Sequence, residues 1–124
     1  LNTVKYSTNP YNINSMTSAM GIGILKDGEY TATNCRTIME NRDYTVKALE
    51  KMGFRVLPSS ANFIFVSSDK IDGGEYYRKL KEKKILVRHF DKPRISSWCR
   101  VSIGRIDQME AFLKATEEIL KEKV

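Results

Sequence analysis

Residues 54 to 104 hold four short apolar runs, each bounded by turn-forming residues: "FRVLP", "NFIFV", "ILVRHF" and "WCRVSIG". Only one helical stretch, "GGEYYRKLKEKK", interrupts them. Runs of this length read as strands, not helices, and strands must pair. The chain therefore has to build a small sheet and cover it. Helical stripes on either side supply the cover. Tyr30, Thr37, Ile38, Thr45, Ala48, Leu49 and Met52 fall on one face of a long helix. Gly53 stands where a left-handed stop belongs, and Phe54 follows as its hydrophobic contact. Met109, Phe112, Leu113, Thr116 and Leu120 form a second stripe, with Asp107 and Glu110 spaced as a capping box. In the central helix Tyr76 or Tyr77 and Leu80 point inward. Ahead of all these, Ile13, Met16, Met20 and Leu25 fall near helical spacing, with Asn12, Asn14 or Ser15 as caps. The order is α-α-β-β-α-β-β-α, which suits an α+β domain with a mostly antiparallel sheet covered by helices.

Two of the strands carry an arginine in the middle, Arg88 and Arg100. A guanidinium drawn into an apolar strand is costly unless an anion meets it. Alternation puts Trp98, Arg100 and Ser102 on one face, opposite Cys99, Val101 and Ile103. Leu86, Arg88 and Phe90 share a face in the same way. If the two strands are neighbours, the arginines lie close together and form a receptor for phosphate or carboxylate. Neither strand contains a carboxylate to pair with them, so the expected anion is a ligand's. Arginines on strands are also often exposed, or paired with acids from elsewhere, and that reading stands beside the first.

Other features are weaker. The net charge of +6 favours anionic partners, but the basic residues are scattered among acidic ones, so nucleic acid is not expected. The strand "NFIFV" reads as apolar on both faces, hence central, with Phe63 and Phe65 buried and not offered to bases. No apolar run reaches the roughly 20 residues of a membrane span, and no membrane partner or signal peptide is expected. Cys35 and Cys99 read as reduced thiols of a cytoplasmic protein. With one histidine they give no metal spacing. His89, at a strand end, reads as a surface residue without a role. The "GIG" and "DGG" glycines read as helix packing and a helix start, not phosphate loops. The chain begins with Leu1 in a polar, Pro-containing stretch, and it is expected to be a piece of something longer.

The stretches "NPYNIN", "GF-V-PS-ANFIFV", "ILVRHFDKPRI" and "CRVSIG…QMEAFL" resemble, in this order, the C-terminal part of histidinol-phosphate aminotransferases. These are enzymes of the aspartate-aminotransferase fold that use pyridoxal 5'-phosphate. The resemblance covers nearly the whole chain. It implies that residues 1–25 are an interdomain arm and bridging helix, and that 26–124 are a small domain closing over the substrate. It implies that Arg100 binds the anionic end of the substrate and that Arg88 helps hold its phosphate. Asn12 would lie at a domain junction or dimer interface. The parent would be a homodimer acting on phosphate and carboxylate small molecules, L-histidinol phosphate and 2-oxoglutarate. Its cofactor lysine and the other cofactor-binding residues would lie upstream, so no catalytic, cofactor or metal residue is expected here, and the fragment alone should be inactive. Arg105 departs from the family, which has a small hydroxyl residue there. A threonine-phosphate decarboxylase or an aromatic aminotransferase remains open within the superfamily. Outside it, a free-standing phosphate- or RNA-binding α+β module remains.

Overall fold

The computed structural model describes residues 13–122; the expectation for Asn12 lies outside them. The described residues fall into two compact units, divided between Asn34 and Cys35. In the first, helix α1 spans Ser15–Lys26. Asn14 caps it, accepting from the Thr17 amide at 2.8 Å. Its apolar side chains are exposed, Met16 by 74% and Leu25 by 85%. Asp27 ends α1 and caps the next helix, accepting from the Tyr30 amide at 2.9 Å.

Helix α2 spans Gly28–Lys51. The expected stripe is buried only from its middle onward. Asn41, Thr45 and Leu49 are buried, and Ile38, Ala48 and Met52 pack partly against the core. Tyr30 and Thr37 are exposed, a correction to the stripe. Periodicity shows which face would be covered, not whether a neighbour covers it. Gly53 stops the helix with φ of 90°, a left-handed angle that disfavours any residue with a Cβ.

The sheet contains β1 (Phe54–Val56), β2 (Phe63–Ser68), β3 (Arg88–His89) and β4 (Trp98–Ser102). Their spatial order is β1-β2-β4-β3, and every pair is antiparallel. Helices α3 (Gly73–Glu82) and α4 (Ile106–Lys121) complete the expected order. One face of the sheet is closed. Ile64, Val66, Cys99 and Val101 pack there with Leu49, Tyr76, Leu80, Met109, Phe112 and Ile119. Burying each such aliphatic or aromatic side chain contributes about 1.5–3 kcal/mol. Inside this core the Tyr76 hydroxyl meets Thr116 Oγ1 at 2.7 Å, which satisfies a group that burial would otherwise penalise.

Three local expectations need correcting. The "ILVRHF" run keeps its in-out alternation, but only Arg88 and His89 pair with β4. The cause is the end of α3. Lys84 takes a left-handed φ of 63°, with its amide donating to Lys81 O and that of Ile85 to Leu80 O, each at 2.9 Å. After this stop the chain pairs with β4 first at Arg88. Glycine is the residue that fits such a stop. Lys84→Gly should therefore stabilise the chain by about 1 kcal/mol, read as a higher urea midpoint at unchanged slope. Secondly, α4 starts at Ile106. The Arg105 amide donates to Gln108 Oε1 at 3.0 Å, not Asp107 to Glu110. The guanidinium of Arg105 instead holds Asp107, at 3.0 and 2.7 Å. Thirdly, His89 is half-buried, not a plain surface residue. Its Nε2 lies 2.7 Å from Ser96 O, and its ring stacks on Tyr77.

Candidate functional site

The other face of the sheet is open, and the sequence misjudged it. β2 is central in the order, but it is not buried on both faces: Phe63 is 38% exposed and Phe65 half-buried. Register then decides what shares this face. Arg100 on β4 pairs with Phe65 on one side and with Arg88 on the other. Directly opposed residues point the same way. The two arginines are therefore side by side on the open face, as expected if their strands were neighbours.

Aromatic rings floor the site. Phe65 stacks on Trp98 at 5.2 Å and meets Phe90 edge-on at 6.0 Å. The Arg100 guanidinium lies 5.3 Å from the centre of Phe63, and that of Arg88 5.5 Å from the centre of Phe90. Arg55 lies over Trp98 at 5.9 Å and pairs with Asp69 at 3.0 Å. Ring faces attract cations and hold their long side chains in place. A groove of about 410 Å³ runs along this face, lined by Leu57, Ser59, Phe63, Phe65, Phe90 and Arg100 among others.

The electrostatics are one-sided. Like charges directly opposite each other across a sheet oppose pairing. Among the described residues no carboxylate forms an ion pair with Arg88 or Arg100. An anion arriving between them would relieve the repulsion and find two planar forks of donors. The site can bind and orient an anionic group. His89 pairs with Cys99, on the face opposite the two arginines, although it and Asp91 line one recess with Arg88.

The remaining chemistry-bearing residues stand apart. Cys35 and Cys99 are both free. Burial pushes the Cys99 thiol up to about 12, with Asp72 adding to the shift, so it remains protonated and inert. Every described lysine is exposed or half-buried. No cluster of three or more histidine, cysteine or acidic side chains is suited to a metal, and no helix is long and apolar enough to cross a membrane, among the described residues.

Known proteins resemble this chain along nearly its whole length. Residues 1–115 match the family model described as aminotransferase class I and II. A histidinol-phosphate aminotransferase of Clostridium botulinum (strain Okra / Type B1) is 39% identical over 97% of this chain and 34% of its own length. The crystal structure of the histidinol-phosphate aminotransferase from Clostridium acetobutylicum superposes with a TM-score of 0.82 at 27% identity, covering 98% of this chain and 37% of that one. The enzyme of that name from Sinorhizobium meliloti, solved in complex with pyridoxal-5'-phosphate, has the same fold, with a TM-score of 0.80 at 19% identity over 98% of this chain and 34% of that one. The chain thus spans 34% of the length of the curated relatives it matches.

Proposed function

This chain belongs to the aminotransferase class I and II family, and from that premise we propose that it is the C-terminal, substrate-clamping part of a histidinol-phosphate aminotransferase. The whole enzyme moves an amino group between L-histidinol phosphate and 2-oxoglutarate. Residues 1–25 form the arm and bridging helix, and 26–124 the small domain. Pyridoxal 5'-phosphate supplies the carrier chemistry when bound, and residues outside this chain hold it. The parent is a cytoplasmic homodimer, and its free thiols fit a reducing compartment.

The observation that carries the reading is the cross-strand pair Arg88 and Arg100 on an open aromatic face, without an acidic partner among the described residues. Arg100 holds the phosphate of one substrate and a carboxylate of the other. Arg88 adds charge for the phosphate. Their contribution is to fix the reacting carbon in place and to exclude water, not to transfer protons. Arg88→Ala should reduce kcat/KM for the phosphate substrate by about tenfold, the worth of one charged hydrogen bond, and affect 2-oxoglutarate less. Equal losses for the two substrates would give Arg88 only a general role.

The test is an absorbance spectrum of the full-length protein with pyridoxal 5'-phosphate, before and after L-histidinol phosphate. A visible band that bleaches on adding the substrate supports the assignment. A band that ignores it moves the specificity to another substrate, such as that of a threonine-phosphate decarboxylase. The open aromatic and basic face is also what an RNA-binding sheet presents. Absence of any band, with RNA bound instead, would favour that reading.

A further inference from the structure

Two consecutive side chains of α2 reach the ends of β2 and β4, which bear Phe63 and Arg100. Asn41 Nδ2 donates to Gly104 O at 2.9 Å, just beyond β4. Arg42 Nη1 donates to Ala61 O at 2.9 Å, just before β2. The same strand ends are joined to each other, since the Ile103 amide donates to Asn62 O at 2.8 Å. The donors are withdrawn from water: Asn41 is 8% exposed and the Arg42 side chain 14%. Apart from the carbonyl, Arg42 has an ion pair with Asp43 at 3.9 Å, too long for a strong one. Holding a guanidinium there is costly, so the carbonyl contact has to matter to the segment it holds.

That segment is a closed turn. Ser59 Oγ donates to Phe63 O at 2.6 Å and accepts from the Ala61 amide at 3.1 Å. Fixing Ala61 therefore fixes Ser59 and Phe63 together. Leu57, Pro58 and Ser59 form a wall with the anion groove on one side and a recess lined by Arg42 on the other. Phe63 pairs with Ser102, the last residue of β4. Terminal rungs open most readily, and the ring of Phe63 is the support under Arg100.

We propose that Asn41 and Arg42 are positioning residues for substrate binding, setting where Phe63 and Arg100 stand in the groove. This rests on the reading that Arg100 holds the substrate's anion. The experiment is a double-mutant cycle in the full-length enzyme with 2-oxoglutarate as the probe. Asn41→Ala and Arg42→Ala should each raise KM about tenfold, with a smaller change in kcat, because a displaced guanidinium weakens binding before chemistry. Arg42→Lys should restore part of the loss. In an Arg100→Ala background neither change should lower kcat/KM further, since the residue they position is gone. A KM that stays at the wild-type value while the unfolding temperature falls would reduce the pair to scaffolding and overturn the proposal. A full additive loss in the Arg100→Ala background would overturn it too. If Arg42→Ala does not fold, Arg42→Gln takes its place in the cycle with the same two criteria. If Arg100→Ala itself leaves KM unchanged, the reading of Arg100 fails first, and that result is separate from the coupling.

Discussion

Arg100→Ala in the full-length enzyme should lower kcat/KM for both L-histidinol phosphate and 2-oxoglutarate by about 10²–10³-fold, the cost of removing a paired charge from a desolvated contact. The size follows from the surroundings. Arg100 is exposed now but lies over Phe63 and across from Arg88. If Arg100 is the anion's principal partner, as proposed, truncation leaves the anion over Phe63, Phe65 and Phe90 with only Arg88 alongside. Arg88 lines a separate recess with Tyr77, His89 and Asp91, so it does not take over the groove contact. If the two half-reactions share the site, as proposed, both suffer. Stopped-flow measurement of each half-reaction separates them. Loss in only one would show that Arg100 serves a single substrate, and loss in neither would remove the clamp altogether.

How much of this was legible in the sequence depends on range. The order of elements, Asn14 as one of three candidate caps of α1, the stop at Gly53 and the core positions of α4 down to Thr116 are local, and periodicity and turn chemistry expose them. Ile119, fully buried, was missed in favour of Leu120, one position along the same stripe. Alternation also placed Arg100 on its face correctly. What it could not supply was the neighbour. That Arg88 lies directly opposite Arg100 is a matter of strand order and register, which no local pattern encodes. The same limit explains Phe63 and Phe65. An all-apolar strand reads as doubly buried, but here the outward half forms the floor of an open groove. Asn41 and Arg42 gave no signal at all. Their acceptors are backbone carbonyls 63 and 19 residues away, and a carbonyl is the same at every position.

Gly73→Ala should destabilise the chain by about 2–3 kcal/mol, an overpacking cost that the better helix propensity of alanine only partly offsets. Gly73 is not needed for its backbone angle, since Gly53 is the only glycine with a positive φ among the described residues. It is needed for space. A Cβ there would lie 2.6 Å from Ser96 O, 2.6 Å from Ser97 C and 2.8 Å from Ser97 O. These are all backbone atoms, and the segment is held from several sides. Ser96 O is engaged by His89, the Trp98 amide donates to Ile95 O at 3.0 Å, and the Cys99 thiol donates to Gly73 O at 3.3 Å. Neither partner can retreat without breaking one of these contacts, and a retreat would move the start of β4, two residues before Arg100. Gly74 is the control. The nearest atoms a Cβ there would meet are Asp72 Oδ2 at 3.2 Å and the edge of the His89 ring at 3.5 and 3.8 Å, all side-chain atoms, so Gly74→Ala should cost much less than Gly73→Ala. Urea unfolding of the two variants decides the matter. Equal midpoints would mean that α3 does not approach the Ser96–Ser97 backbone as closely as described. A large loss confined to Gly73→Ala is what the close approach of α3 to the backbone just before β4 requires.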